Sequence, residues 1–284
     1  MTIYDAYRHF LLELKNSYDS SEADAITRIL FFHLTQQTRA DIVKNPDQLL
    51  SKETQDSLKS ALVRLCQFEP IQYITGETVF CNRTFNVNPS VLIPRPETEQ
   101  LVDLAVEALS TCNNASVFEV GSGSGCIAIS IKLALPHVLV SSMDVSDEAI
   151  QVAISNATKL QADIHWICDD FLNKSSWSQL GMFDLIVSNP PYIPLSDAET
   201  MNKNVTEFEP HLALFVEDAD PLIFYRQLAE LGHSHLTEDG YLMVECHRDL
   251  AGACLMLLEQ EGYKGDVIKD LFGNDRFVKV TRCR

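Results

Sequence analysis

The sequence lacks several features that would assign it to particular classes of protein. Its 284 residues contain no apolar run long enough to span a bilayer, and Met1 is followed by neither a basic leader nor an apolar signal core. The eight cysteines are scattered, without a CxxC pair or a Cys/His run, and no internal repeat or low-complexity tract is visible. We therefore expect a cytoplasmic protein with reduced cysteines, no membrane anchor and no metal site.

Basic residues are also scarce. The 22 lysines and arginines are outnumbered by 40 aspartates and glutamates, which gives a formal net charge of −18, and they form no cluster. Lysine and arginine contacts to phosphates supply most of the non-specific affinity for nucleic acid, so this charge disfavours direct binding to it. An acidic surface suits a basic protein partner, and it serves equally well to keep a protein soluble.

The first part of the chain has a helical pattern. Apolar residues repeat at helical spacing in three sets, which begin at Tyr7, Ile26 and Leu58. Polar breaks separate the sets, and we expect a small helical bundle over residues 1–76. Two short strand patterns on either side of Cys81-Asn82-Arg83 then predict a β-hairpin connector over residues 77–92.

Strand and helix patterns alternate over residues 93–284. We predict strands at 116–120, 138–144, 164–168, 185–188 and 241–245, and helices near 125–135, 147–160, 222–236 and 250–260. Ser146 is the expected N-cap of the second of these helices. This rhythm indicates βαβ crossovers, and therefore an α/β, Rossmann-like domain with a mostly parallel twisted sheet and helices on both faces.

A glycine-rich turn lies between the first of these strands and its helix. It consists of Gly121, Ser122, Gly123, Ser124 and Gly125. Glycines let the backbone approach a ligand closely, either a nicotinamide dinucleotide or the amino-acid end of S-adenosylmethionine. The dinucleotide fingerprint requires glycine where Cys126 stands, so the spacing favours S-adenosylmethionine.

Polar groups follow the next two strands. Asp144 closes the second strand, about twenty residues after the glycine turn, where a carboxylate can accept hydrogen bonds from both ribose hydroxyls. Asp170 follows the third strand and can accept from an adenine amino group, with Phe171 stacking on the ring. Ligands bind at the carboxyl ends of such sheets, so we predict that all three residues bind the cofactor.

The segment Asn189-Pro190-Pro191-Tyr192 ends the fourth predicted strand. The prolines keep the chain extended, and the Pro190 carbonyl and the Asn189 side chain offer two acceptors for both hydrogens of a substrate NH₂ group. Acceptors that favour a tetrahedral nitrogen direct its lone pair at a methyl donor, and Tyr192 can stack on the planar group. We predict that Asn189, Pro190 and Tyr192 are catalytic, that all four residues bind substrate, and that Asn189 also contacts the cofactor. The chemistry is that of a methyltransferase acting on an amide or amino nitrogen.

The sequence resembles the PrmC/HemK family, the methyltransferases of the glutamine side chain in the GGQ motif of class 1 peptide chain release factors. The resemblance spans most of the chain and rests on residues 69–76, 92–99, 121–125, 189–192, 209–210 and 270–276. It implies a class I methyltransferase domain, S-adenosylmethionine at the glycine turn, Asp144 and Phe171, and the substrate glutamine at residues 189–192. It also implies that the helical N-terminal domain helps to grip the release factor, and we expect a monomer.

This sequence departs from the family pattern at three places. Glu119 stands where the family usually has Asp, residues 217–221 lack glycines, and residues 245–248 lack a glycine and a following glutamine. The alternatives are a glutamine methyltransferase of a ribosomal protein, an amino-methyltransferase of nucleic acid and a non-catalytic binding module. The run at residues 96–99 disfavours the first, the net charge the second, and the retained motifs the third.

Overall fold

The computed structural model describes residues 1–283, which form two compact units. One consists of Met1–Glu77 with Asn202–Phe208, and the other of Thr78–Met201 with the chain from Glu209 onward. No helix within residues 1–283 is both long and apolar enough to cross a membrane.

The first unit is helical, as predicted. It contains α1 (Ile3–Leu14), α2 (Ser20–Thr35), α3 (Arg39–Lys44), α4 (Lys52–Cys66) and α5 (Ile71–Thr75). The side chains of Thr2, Asp19, Thr38 and Ser51 cap the first four helices by accepting from their free N–H groups. The apolar sets identified in the sequence form one core, in which the rings of Tyr7 and Phe31 meet edge to face. The short helices α3 and α5 were not predicted.

The strands of the chain are β1 (Glu77–Phe80), β2 (Arg83–Asn86), β3 (Ser116–Val120), β4 (Leu139–Asp144), β5 (His165–Cys168), β6 (Phe183–Ser188), β7 (Ile193–Pro194), β8 (Phe215–Val216), β9 (Leu236–Glu245), β10 (Tyr263–Lys269) and β11 (Asp275–Arg282). β1 and β2 pair as a two-stranded sheet at the predicted place. The turn between them has positive φ at Cys81 and Asn82. A second small sheet pairs β7 with β8.

The remaining strands form the main sheet, in the order β10-β11-β9-β6-β3-β4-β5. All neighbours are parallel except β11, which runs antiparallel to both β9 and β10. The chain proceeds from β3 outward to β5 and then returns to β6 on the other side of β3. This reversal of strand order creates the crevice at which open α/β sheets bind ligands.

The remaining helices are α6 (Pro96–Leu109), α7 (Cys126–Ala134), α8 (Asp147–Leu160), α9 (Lys203–Thr206), α10 (His211–Leu214), α11 (Ile223–His235) and α12 (Ala251–Gln260); 3₁₀ helices span Lys174–Gln179 and Leu195–Thr200. α9 lies in the first unit. Ser146 caps α8 as predicted. Both faces of the main sheet are buried, with Phe118 and Ile186 in one core and Val117 and Leu185 in the other. The predicted Rossmann-like domain is therefore confirmed.

Two parts of this unit have weak signals in the sequence. α6 begins with Pro96 at its first position, where a proline is tolerated because that N–H has no partner within the helix. The prolines before it nevertheless resemble a loop. β10 lies at the sheet edge and carries exposed Lys264, Asp266 and Lys269, so it lacks the apolar pattern of a central strand.

Candidate functional site

The register of the main sheet aligns the ends of four strands. Val120 at the end of β3 lies opposite Ser188 of β6 and Met143 of β4, and Asp144 lies opposite Cys168 of β5. The residues that follow these positions therefore emerge side by side at one edge. A methyl group added at Gly121 would lie 3.9 Å from the backbone oxygen of Asn189, so the glycine turn and the NPPY segment are adjacent.

A cavity of about 340 Å³ opens at this edge, within the second unit. Its size lies in the range of roughly 300–1,000 Å³ that is usual for small-molecule sites. Most of the predicted site residues line it: Gly121, Ser122, Gly123, Ser124, Asp144, Asp170, Phe171, Asn189, Pro190 and Pro191. Two predicted residues, Gly125 and Tyr192, are not part of the lining.

The glycines of the turn have different surroundings. Gly123 has φ +50°, and a Cβ atom there would meet nothing within 4 Å. Gly125 has φ +78°, and a Cβ atom there would lie 2.9 Å from Ile129 Cδ1, 3.0 Å from Trp166 and 3.1 Å from Ala153. Gly125 therefore allows close packing beneath the turn, whereas Gly123 keeps the turn open.

Asp144 connects the turn to the next strand. Its carboxylate accepts from the backbone N–H of Gly123 (2.8 Å) and of Ser146 (3.0 Å). A carboxylate has about four acceptor sites, so capacity for further hydrogen bonds remains. Asp170 lies beyond β5 and accepts from Leu172 N (2.9 Å). Asp169 also lines the cavity, although the sequence analysis did not single it out.

Phe171 lies at the side of the cavity, with its ring largely buried. It stacks on Trp177, with ring centroids 5.6 Å apart and an angle of 28° between the planes. Trp177 Nε1 donates to the Phe171 carbonyl at 3.0 Å. The position of Phe171 is thus fixed by the 3₁₀ helix that follows it.

Glu119, the first departure from the family pattern, lines the cavity and is fully buried. Its Oε2 accepts from Ser142 Oγ at 2.5 Å, and Ser142 Oγ lies 2.6 Å from Ser122 Oγ. Burial raises the pKa of Glu119 to about 8, and the hydrogen bond from Ser142 only partly opposes this. Ser142 therefore binds one oxygen of the longer side chain and is itself hydrogen-bonded to Ser122 of the glycine turn.

The Asn189 side chain is held by residues that sequence analysis missed. Asn189 Nδ2 donates to Thr98 Oγ1 (3.2 Å), and Thr98 Oγ1 donates to Glu245 Oε2 (2.8 Å). Burial raises the pKa of Glu245 to about 7, opposed by the hydrogen bond from Thr98 and by the positive charges of Arg276 and Arg95. Nothing local in the sequence connects these positions, because they lie in α6, after β6 and at the end of β9.

Tyr192 lies outside the cavity lining, with its ring packed against the core and 6.2 Å from that of His247. Burial raises the pKa of its hydroxyl, which is therefore neutral. His247 belongs to the segment 245–248 that departs from the family pattern. The aromatic neighbour of Tyr192 thus comes from that segment.

Two motifs of the resemblance meet at the cavity wall. Arg95 Nη2 donates to Glu209 Oε1 at 2.6 Å, and Ile93 N donates to Glu209 Oε2 at 3.0 Å. Glu209 is buried, and Arg95 and Pro210 line the cavity. This ion pair therefore joins the segment before α6 to the segment before α10. Asp270, in a third motif, is structural, because its Oδ1 accepts from the N–H groups of Phe272 and Asn274 at 2.9 Å.

Comparisons with known proteins identify the family. Residues 5–76 match the PrmC N-terminal domain and residues 79–208 the Methyltransferase small domain. The chain is 39% identical over 285 residues to the release factor glutamine methyltransferase of Flavobacterium psychrophilum, with 99% of each chain covered. It is 39% identical over 270 residues to that of Bacteroides thetaiotaomicron, covering 95% of this chain and 96% of the relative.

Solved structures agree on the fold. A methyltransferase from Pyrococcus furiosus aligns with a TM-score of 0.51 and 16% identity, over 79% of this chain and 98% of its own. The family is decided by the two relatives at 39% identity, which align with almost the whole chain. The chain belongs to the release factor glutamine methyltransferase family.

Proposed function

We propose that this protein transfers a methyl group from S-adenosylmethionine to the side-chain amide nitrogen, N5, of the glutamine in the GGQ motif of class 1 peptide chain release factors. The observation that carries the proposal is the position of Asn189. Asn189 follows β6 and lines the cavity beside the glycine turn. The chain that carries it is similar over its full length to a release factor glutamine methyltransferase.

The charge of the cavity supports a cationic cofactor. Its lining includes the acidic residues Asp144, Asp169 and Asp170, whereas Arg95 is paired with Glu209. These groups disfavour the diphosphate of a nicotinamide dinucleotide and fit the positive charge of S-adenosylmethionine. When bound, S-adenosylmethionine supplies a methyl group on a positively charged sulfonium.

Each side of the cavity then has a role. The backbone of Gly121 to Gly123 approaches the amino-acid end of the cofactor, Asp144 accepts from the ribose hydroxyls, and Asp170 accepts from the adenine amino group, with Phe171 against the ring. The free acceptor capacity of the Asp144 carboxylate supports its assignment. Gly125 ends the turn and keeps its proposed place in the cofactor site, and its lack of a side chain also allows close packing there.

The NPPY segment solves the chemical problem of a poor nucleophile, because the lone pair of an amide nitrogen is delocalised into its carbonyl. Asn189 Oδ1 and the Pro190 carbonyl accept the two hydrogens of the glutamine NH₂ and favour a more tetrahedral nitrogen, which directs the lone pair at the methyl group. The nitrogen can lose its proton after methyl transfer, so no strong general base is needed. Pro191 holds the segment extended, and Tyr192 keeps a proposed stacking role at the segment's end, outside the cavity lining.

The division of labour along the chain is part of the proposal. Residues 1–76 recognise the release factor, residues 77–92 form a β-hairpin that connects the two domains, and residues 93–284 form the domain that catalyses methyl transfer. A net charge of −18 supports a partner with a basic face and disfavours direct nucleic-acid binding, and we propose that the enzyme acts as a monomer.

The test is label transfer from S-adenosylmethionine carrying a labelled methyl group. The protein is incubated separately with a release factor, ribosomal proteins and nucleic acid, and with a release factor in which the GGQ glutamine is replaced by alanine. We expect label on the intact release factor and none on the other three samples. Uptake by ribosomal protein or nucleic acid, with none by the release factor, would overturn the proposed substrate.

A further inference from the structure

We propose that Thr98 and Glu245 are positioning residues that fix the direction of the Asn189 side-chain amide, so that its oxygen and not its nitrogen faces the substrate. The inference rests on the proposed function, because it gives the glutamine NH₂ group the oxygen that it needs. Thr98 and Glu245 are far apart in the sequence, and neither belongs to the NPPY segment.

The three side chains form a continuous hydrogen-bonded chain. Asn189 Nδ2 lies 3.2 Å from Thr98 Oγ1, which lies 2.8 Å from Glu245 Oε2. Thr98 and Glu245 are each only 2% exposed, so water does not compete for these bonds. Thr98 lies in the first turn of α6, and Glu245 ends β9. The chain therefore joins two rigid elements to the residue that follows β6.

The carboxylate sets the direction of the chain. Above its pKa of about 7, Glu245 is ionised and its carboxylate only accepts, so the hydroxyl proton of Thr98 is committed to Glu245. The oxygen of Thr98 can then only accept from Asn189, which requires the amide nitrogen of Asn189 to face it. A flipped amide would place Oδ1 against the lone pairs of Thr98, with no proton between two acceptors.

This arrangement orients Asn189 before the substrate arrives. With Nδ2 tied to Thr98, Oδ1 is left as the group that can accept from an NH₂ group, and the amide pays no reorientation entropy during the reaction. Hydrogen bonds in a chain also polarise one another, which strengthens Oδ1 as an acceptor. Loss of these hydrogen bonds should therefore affect the rate of methyl transfer much more than the affinity for the cofactor.

A matched pair of variants at position 98 tests the proposal. Thr98→Val keeps the β-branched shape and removes the hydroxyl, whereas Thr98→Ser keeps the hydroxyl. Assays are run at about pH 8, above the pKa of about 7 of Glu245. Single-turnover rates with saturating release factor should fall about 10- to 100-fold in Thr98→Val and stay close to wild type in Thr98→Ser. Calorimetry should give the same affinity for S-adenosylmethionine in all three proteins.

A double-mutant cycle separates positioning from a general structural role. If Thr98 acts through Asn189, then Thr98→Val lowers the wild-type rate but causes no further loss in an Asn189→Ala background. Additive losses in the cycle, or equal losses in Thr98→Val and Thr98→Ser, would overturn the proposal. So would a wild-type rate in Thr98→Val.

Glu245→Gln is a second probe if Thr98→Val does not fold, as judged by thermal unfolding. A glutamine can donate as well as accept, so it no longer fixes the hydroxyl direction, and the same cycle with Asn189→Ala applies. A wild-type rate in Glu245→Gln would contradict the proposal. If the wild-type protein labels a different substrate, the proposed function fails, while the positioning role of Thr98 and Glu245 is still tested on that substrate by the same variants.

Discussion

The two sides of the cavity edge are built on different physical principles. On the glycine-turn side, at the ends of β3, β4 and β5, backbone N–H groups and carboxylates are held by nearby positions, as when Asp144 accepts from Gly123. On the NPPY side, the orientation of one amide depends on Thr98 and Glu245, which are contributed by α6 and β9. The glycine-turn side provides the shape and charge that bind the cofactor, and the NPPY side provides an amide of fixed orientation for the substrate. Changes on the first side should therefore alter cofactor affinity, and changes on the second should alter the rate.

The largest effect is expected on the NPPY side. Asn189→Ala should lower the single-turnover methylation rate by roughly 10²–10³-fold, the usual loss for one transition-state hydrogen bond, and leave cofactor binding nearly intact. The backbone there is restrained by the prolines that follow, so the fold should survive. Asn189→Asp keeps an acceptor oxygen but loses the N–H group that donates to Thr98, so it should retain more activity than Asn189→Ala and less than wild type. A near-normal rate for folded Asn189→Ala would remove Asn189 from the chemistry.

Each side contains a buried acid with a raised pKa, and both acids make the stability of the protein depend on pH. The pKa of Glu119 is raised from its ordinary value of 4.5 to about 8, so Glu119 contributes stability that is fully present below about pH 4.5 and is lost as pH rises through 8. The pKa of Glu245 is raised to about 7, so its contribution to stability is lost as pH rises through 7. The unfolding free energy should decrease between pH 5 and pH 8, and in Glu119→Gln this decrease should be smaller than in wild type by about 3 kcal/mol. Denaturant titrations across this range measure it, and an unchanged slope would refute the assignment.

Cofactor affinity tests the glycine-turn side. Asp144→Ala should weaken S-adenosylmethionine binding by about 10- to 100-fold, because a charge-assisted hydrogen bond contributes roughly 1.5–3 kcal/mol. Asp144→Asn keeps one acceptor oxygen and should lose less. Calorimetry provides the affinities. Equal affinity in wild type and Asp144→Ala would show that the ribose lies elsewhere.

The two glycines with different surroundings separate the effect of packing from that of backbone strain. Gly125→Ala should lower the unfolding free energy by about 2 kcal/mol or more, because its Cβ would meet Ile129 at 2.9 Å and its φ is positive. Gly123→Ala adds a Cβ into open space and should lower it by only about 1 kcal/mol. Thermal unfolding of both variants gives the comparison. Equal destabilisation would mean that backbone strain, not packing, explains Gly125.

The smallest effect concerns the surface. If the net charge of −18 attracts a basic face of the release factor, association should slow several-fold as ionic strength rises from about 0.01 M to about 0.15 M. Stopped-flow association at several salt concentrations measures this, with dissociation rates as an internal control. A salt-independent association rate would leave the charge as a determinant of solubility alone.

The difference between the two sides also explains what the sequence predicted. Asp144 and the glycine turn follow consecutive strands, so their meeting is implied by the order of a parallel sheet. The sequence predicts Asp170 and omits its neighbour Asp169, which has the same chemistry and also lines the cavity. Gly125 is predicted to bind the cofactor, and its position close to Ile129, outside the lining, adds a packing role to that prediction. Glycine spacing alone does not distinguish a close ligand from a close side chain.

The supports of Asn189 were beyond sequence reasoning for a different reason. Thr98 lies 91 residues before Asn189 and 147 before Glu245, and their contact depends on how α6 packs against β9. The motif at residues 96–99 was recognised only as a family signature. Its physical role emerges once the buried hydroxyl of Thr98 is seen between an amide and a carboxylate.

The most direct test of the account is to locate the transferred methyl group. A release factor methylated by this protein is digested, and tandem mass spectrometry with isotope-labelled methyl donor identifies the modified atom. We predict one methyl group on the side-chain nitrogen of the GGQ glutamine, formed by wild type and by Thr98→Ser, and nearly absent with Asn189→Ala when all reactions are stopped as wild type reaches completion. A methyl group on any other residue, or full modification of the same glutamine by Asn189→Ala, would contradict it.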